Sequence, residues 1–240
     1  MKKLPSISAF FPAYNDGGTI SSMVISTLRT LPKVTDDYEV IVINDGSRDY
    51  TADMLQELER MYPQHVRIIH HPVNRGYGAA LRSGFVSARK DWVFYTDGDA
   101  QYDPRELVRL VHAVRPDTDI VNGYKISRHD PIHRAIIGRL YHHIVRVLFG
   151  FRLRDVDCDF RLIRRNIFDE IKLQSTSGTI CLEMVTKFQD AGYKFEEVPV
   201  HHFHRAYGKS QFFNFRRLAR TAIQLIQLRR ALIIQKRGLA

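Results

Sequence analysis

Only two cysteines, Cys158 and Cys181, occur in 240 residues. That is too few for a disulfide framework, so a reducing compartment is expected. No apolar stretch approaches the roughly 18–20 residues that cross a bilayer. The N-terminus, Met1-Lys2-Lys3-Leu4-Pro5, enters a strand-like segment without an apolar leader, and no signal peptide is expected. Internal repeats and low-complexity tracts are absent, and with 44% hydrophobic residues the chain can fill the core of one large domain. Acidic residues are missing from the last part of the chain. From His201 to Ala240 there are nine Lys or Arg and no Asp or Glu, while residues 1–200 carry only +1 of the total charge of +10. A basic tail attracts polyanions such as nucleic acid, anionic lipid headgroups or phosphate substrates. No nucleic-acid motif accompanies it, so no nucleic-acid partner is expected.

What is present in the first half is an alternation of strands and helices. Strands are expected at Ile7–Ala13, Glu39–Asn44, Val66–His70, Trp92–Thr96 and Asp119–Tyr124. The intervening helices are expected at Gly17–Leu31, Thr51–Met61, Tyr77–Ala88 and Pro104–Val114, the last with proline in its first turn. The run Glu-Val-Ile-Val-Ile-Asn has the continuous apolar character of a strand buried on both faces. Such alternation implies an α/β fold, a mostly parallel sheet with helices on both faces. The second half predicts helices at Arg134–Phe149, Gly178–Ala191 and Asn214–Leu228, with strands at Phe160–Ile163 and Lys194–Val200.

Ligands of open parallel sheets bind beyond the carboxyl ends of the strands. Three of those ends are polar and acidic: Tyr14-Asn15-Asp16, Asp45-Gly46-Ser47 and Asp97-Gly98-Asp99. Asp97 and Asp99 place paired oxygen donors where phosphates can approach, and Gln101 adds a carbonyl oxygen. Hard divalent cations take such ligands and share them with phosphates. The competing reading of this segment is a helix-capping turn, a role that fits Asp103 better. Gly76-Tyr77-Gly78 opens a helix and suits either a phosphate at the helix N-terminus or a tight turn that lets helix and sheet approach. Asp155, Asp157 and Asp159 alternate, and on a strand they would share one face. His201, His202 and His204 are poor evidence for zinc, because oxygen donors already supply a metal site. No serine or cysteine triad is visible.

Taken together, these segments resemble glycosyltransferase family 2, of the nucleotide-diphospho-sugar (A-type) fold. The matching segments are P-A-Y-N-D, N-D-G-S-R-D, N-R-G-Y-G-A-A-L-R-S-G at Asn74–Gly84 and D-G-D-A-Q, in that order. D-V-D-C-D-F-R-L-I-R-R at Asp155–Arg165 and R-A-Y-G-K-S-Q-F-F at Arg205–Phe213 are similar to a narrower branch. That branch contains dolichyl-phosphate mannosyltransferases and polyprenyl-phosphate glycosyltransferases. The resemblance covers roughly residues 6–215. It implies that Pro12, Tyr14 and Asp16, with Asp45 beside them, line a base and ribose pocket. It implies that Asp97 and Gly98 sit at the donor, that Asp99 and Gln101 ligate Mg²⁺ or Mn²⁺, and that Asp159 lies near the sugar. Asp97, Asp99 and Asp159 are the implied catalytic set. Arg128, Arg205 and Lys209 are the implied phosphate contacts, Lys209 standing in for the basic residue that Gln211 replaces. The implied activity is inverting, metal-dependent transfer of a sugar from a nucleotide diphosphate sugar to a polyprenyl phosphate. The alternative acceptor is the hydroxyl of a glycan or small metabolite.

The chain divides on this reading into a catalytic domain, 1–211, and a basic amphipathic tail, 212–240. In the tail Phe215, Leu218, Ala219, Ala222, Ile223 and Ile226 follow helical spacing, with Arg216, Arg217 and Arg220 on other faces. A basic amphipathic helix lies in a membrane interface; the alternative is packing on the domain's own core or on a second subunit. The expectation is a peripheral enzyme on the cytoplasmic face of a membrane.

Overall fold

The computed structural model describes residues 2–127, 145–205, 207 and 215–238. Seven strands form one sheet in the order β3-β2-β1-β4-β6-β5-β7. They are β1 (Ser6–Ala13), β2 (Asp37–Asn44), β3 (Val66–His70), β4 (Trp92–Thr96), β5 (Ile120–Ser127), β6 (Phe160–Arg164) and β7 (Phe195–His201). Every paired neighbour is parallel except at β6, which runs antiparallel to both β4 and β5. The helices named below are α1 (Ile20–Thr30), α2 (Thr51–Met61), α3 (Tyr77–Ser87), α4 (Leu107–Ala113), α5 (Ile180–Asp190) and α6 (Phe215–Gly238). The mostly parallel α/β sheet predicted from strand–helix alternation is the sheet observed.

The two-sided burial of the strands explains their unbroken apolar runs. All eight residues of β1 are buried, and consecutive side chains feed opposite faces, as the strand pleat requires. Phe11, Val42 and Phe94 join the core under α1, α2 and α4. Phe10, Ile41, Ile43, Val93 and Tyr95 join the core under α3 and α5. Phe10 stacks on Tyr95 at 5.5 Å and meets the edge of Phe85 at 5.0 Å. Each such fully buried side chain contributes about 1.5–3 kcal/mol.

A third core cluster joins α6 to the domain. Leu225, Leu228 and Leu232 pack with Val145, Phe149, Phe151, Leu153, Val156, Leu182 and Val185. Ile223, Ile226 and Ile234 on the same helix are exposed. The expected apolar face of Phe215, Leu218, Ala219 and Ala222 lies on side chains outside those described. Of the helix expected at Arg134–Phe149, residues 145–149 are described and are helical. Arg128, Lys209 and Gln211 also lie outside the described residues. Asp155, Asp157 and Asp159 do not share a strand face. They precede β6 in a turn, where the Asp155 carboxylate accepts the N–H of Asp157 at 3.2 Å and that of Lys125 at 3.4 Å. Short-range capping of the turn thus replaces the alternating ladder.

Candidate active site

The order of the strands brings β1 and β4 side by side at the middle of the sheet. Their carboxyl ends, Ala13 and Thr96, open into the loops that carry Asp16 and Asp97–Gln101. Contacts between the loops fix their spacing. Thr19 Oγ1 donates to the Gly98 carbonyl at 2.8 Å. A methyl at Gly98 would lie 3.2 Å from the Pro12 carbonyl oxygen and 3.7 Å from Asp16 Oδ2. The first and second segments are stitched as well: Asn15 N–H donates to Ser47 Oγ, Arg48 N–H to Asn15 Oδ1, and Asp16 N–H to Thr51 Oγ1. The Tyr14 N–H donates to Asp16 Oδ2 at 3.0 Å.

The acids form a buried cluster with little compensation. Burial lifts the Asp16 carboxyl to about 6; the Tyr14 N–H opposes that rise and the charge of Asp99 adds to it. Asp97 is pushed well above the usual carboxylate range by burial, then by the charges of Asp159 and Asp99. Tyr77 Oη donates to its Oδ1 at 2.8 Å. Asp99 is raised by burial and pulled back by Arg205, whose guanidinium meets its Oδ2 at 2.5 Å. Arg205 supplies the cluster with positive charge at Asp99, and burial with the mutual repulsion of the acids outweighs it.

Among the described residues, no three His, Cys, Asp or Glu side chains form a metal cage by themselves. The donor chemistry nevertheless fits a hard cation shared with phosphates. Asp99 offers a carboxylate next to a guanidinium that already occupies a cation's place. The amide nitrogen of Gln101 donates to the Phe203 carbonyl at 3.1 Å, which leaves its amide oxygen for a cation. The Asp99–Gln101 loop holds a specific shape: Ala100 sits at φ 59°, a strained value for a residue with a β-carbon. The Gln101 N–H folds back onto Asp99 Oδ1 at 3.0 Å, and Phe203 N–H donates to the Gln101 carbonyl at 2.8 Å.

Both carboxylate oxygens of Asp45 are engaged by the protein. Oδ1 meets His71 Nδ1 at 2.6 Å and accepts the Arg75 N–H, while Oδ2 accepts the Gly76 N–H, both at 2.9 Å. It holds the loop that enters α3. That loop also decides between the two readings of Gly76 and Gly78. Gly76 has φ 95°, and a methyl on either glycine would lie 2.5 Å from a backbone oxygen of Thr176 or Ser175. The N–H of Gly78 donates to Thr176 O at 3.0 Å. These N–H groups are occupied, so the glycines serve close packing and not a phosphate.

Several residues with a part in this site carried no signal of their own in the sequence. Tyr77 reaches Asp97 from α3. Glu183 is buried in α5, accepts the N–H groups of Gln174 and Ser175 at 2.9 and 2.8 Å, and pairs with Lys187. It fixes the loop that packs on Gly76 and Gly78. Cys181, at the start of α5, donates its thiol hydrogen to Asp159 Oδ1 at 3.0 Å. Helical periodicity marks these positions only as core. His201 Nδ1 lies 2.8 Å from Glu106 Oε1, a hydrogen-bond distance.

The sequence model of glycosyl transferase family 2 matches residues 8–172, more than half of the chain and all of the acidic segments described above. This chain belongs to glycosyl transferase family 2. The family 2 chain is 28% identical over 213 residues to the undecaprenyl-phosphate 4-deoxy-4-formamido-L-arabinose transferase of Proteus mirabilis, covering 88% of this chain and 64% of that protein. It is 27% identical to the same-named transferase of Enterobacter sp. (strain 638), covering 94% and 68%. The chain thus spans about two thirds of the length of these relatives. In structure it resembles glucosyl-3-phosphoglycerate synthase from Mycobacterium tuberculosis in complex with UDP, with a TM-score of 0.71 at 18% identity over 94% of this chain and 79% of that one. The same synthase with Mn²⁺, UDP and glucosyl-3-phosphoglycerate gives 0.71 at 19%, over 94% and 80%. The fold is therefore that of the nucleotide-sugar transferases.

Proposed function

We propose that this chain is an inverting glycosyltransferase that moves a sugar from a nucleotide diphosphate sugar to a polyprenyl phosphate. The observation that carries the reading is the gathering of Asp16, Asp97, Asp99 and Arg205 at the carboxyl ends of β1 and β4. The names of the undecaprenyl-phosphate relatives support the acceptor. Pro12, Tyr14 and Asp16 hold the base and ribose; Asp45 supports them from behind by fixing the α3 loop. Asp99 and Gln101 hold Mg²⁺ or Mn²⁺, as the metal-bound neighbours suggest for the fold. A bound cation supplies positive charge to the departing diphosphate. Arg205, with Arg128 and Lys209, stabilises the same developing charge from the protein's side. The acceptor oxygen attacks the anomeric carbon from the face opposite the diphosphate, so no protein nucleophile is required.

No helix among the described residues is long and apolar enough to cross a membrane. The membrane contact proposed here is peripheral, on the cytoplasmic face. It uses the exposed Ile223, Ile226 and Ile234 of α6, while the opposite leucines hold the helix to the domain.

A second reading, transfer to a hydroxyl, draws on one observation: Asp159 has a carboxylate oxygen without a partner among the described residues. One assay separates the two. The protein is incubated with radiolabelled nucleotide sugars, including UDP-glucose and GDP-mannose, with Mg²⁺ or Mn²⁺ and undecaprenyl phosphate, and then extracted with organic solvent. Label in the organic phase that mild acid releases supports the lipid phosphodiester. Label joined to an aqueous glycan hydroxyl overturns it and makes Asp159 the leading general base.

A further inference from the structure

Asp159 stands at the end of a hydrogen-bond chain whose polarity can be worked out atom by atom. Arg161 is fully buried on β6 and has only donors. Its Nε serves Asn122 Oδ1, its Nη2 serves the Val156 carbonyl and its Nη1 serves the Tyr95 oxygen. Because Tyr95 accepts from Arg161, its own hydrogen points elsewhere, and Asp159 Oδ1 lies 3.5 Å away. The Cys181 thiol donates to the same oxygen at 3.0 Å, and Arg161 Nη1 lies 3.7 Å from it. Burial pushes both the Tyr95 hydroxyl and the Cys181 thiol well above their usual ranges, so each keeps its proton at neutral pH. Among the described residues the hydrogen bonds and the ion pair of the Asp159 carboxylate fall on Oδ1, and none falls on Oδ2.

We propose that Cys181 and Tyr95, backed by Arg161, are positioning residues that anchor Asp159 by Oδ1 and present Oδ2 to a hydroxyl of the transferred sugar. This rests on the transferase reading above. A carboxylate oxygen without a hydrogen accepts only, so its partner must carry one. A sugar hydroxyl meets that need, whereas an anionic phosphate acceptor repels it.

The test compares purified full-length variants by initial rates across donor concentration, using the labelled donor and undecaprenyl phosphate assay. Cys181→Ser keeps a donor to Asp159, while Cys181→Ala removes it; in an apolar packing site the order of harm would be reversed, because a buried hydroxyl costs more than a small void. We expect Cys181→Ser to keep kcat/KM within about threefold and Cys181→Ala to lose about ten- to hundredfold, the span of one hydrogen bond to a charged group. Tyr95→Phe should behave like Cys181→Ala. In an Asp159→Ala background, where no acceptor is left for the thiol, the Cys181→Ala loss in the residual rate should shrink to less than about twofold, since the coupling partner is gone. Unchanged kcat/KM in Cys181→Ala and Tyr95→Phe, or an undiminished Cys181→Ala loss in the Asp159→Ala background, overturns the positioning role alone. A wild-type protein inactive with every donor and acceptor overturns the transferase reading itself.

Discussion

Asp99 meets Arg205 with one carboxylate oxygen and the Gln101 N–H with the other, so its replacement is felt by the whole loop. Asp99→Ala is expected to abolish sugar transfer and to weaken Mn²⁺ binding, measured by electron paramagnetic resonance in the presence of UDP. Excess chelator should mimic the variant in the activity assay; full activity under chelation would remove Asp99 and Gln101 from a metal role. Asp45 behaves differently because its carboxylate faces the protein. Asp45→Asn replaces one acceptor oxygen by a donor that opposes an N–H of the α3 loop. It should cost about 1–3 kcal/mol in urea unfolding, and it should harm donor binding only through the displaced loop.

Helix α3 lies so close to β1 that a methyl at Gly84 would come within 2.3 Å of the Phe10 ring. Alanine is the better helix former by about 1 kcal/mol, yet overpacking a filled core costs about 1–3 kcal/mol. Gly84→Ala is therefore expected to lower stability, and an increase would show that Phe10 can move. Glu183 ties α5 to the 174–176 loop under α3. Burial raises its pKa, but the Lys187 ammonium and the N–H groups of Ser175 and Gln174 outweigh burial and hold it below its usual value. A depressed folded pKa gives stability that is full above the unfolded value of 4.5 and is lost as pH falls through the folded value. Glu183→Gln should thus be less stable than wild type at pH 7, by about 1.5–3 kcal/mol, with the gap closing below pH 4.5. A gap independent of pH would mean that its packing and not its charge is what matters.

For the whole molecule, the two faces of α6 allow stability and the proposed membrane contact to be tested separately. Leu228 is buried against the third core cluster, so Leu228→Ala is expected to cost about 2–5 kcal/mol. Ile226 is 54% exposed, and Ile226→Glu should leave the Tm unchanged while reducing sedimentation with vesicles of 30% phosphatidylserine, a composition of about physiological charge. Binding of the intact protein should also fall with salt, because a basic surface is screened within a Debye length of about 8–10 Å. An intact protein that ignores these vesicles at low salt would assign Ile223, Ile226 and Ile234 to another contact. Deleting all of 212–240 would confuse the two effects, since it also uncovers Val145, Phe149 and Leu182.

The sequence by itself determined the sheet and the acids at its edge. Five of the seven strands are runs of β-branched and aromatic residues bounded by polar loops, and α2, β3 and β4 fall on the expected residues. The first-half motifs were legible because each is local: strand, acidic turn, helix. Tertiary structure alone decided what depends on residues distant in sequence. It turned Asp45 toward His71 and the α3 loop, since a buried carboxylate must find donors and the nearest were three backbone and ring N–H groups. It made Gly76 and Gly78 packing residues by setting Ser175 and Thr176 against them. It placed Arg161, Tyr95 and Cys181 behind Asp159, from β6, β4 and α5, where antiparallel pairing of β6 with β4 puts Tyr95 opposite Arg161. It split the C-terminal helix into a leucine face on the core and an isoleucine face left exposed, a division that helical spacing leaves open because burial depends on what lies opposite the helix.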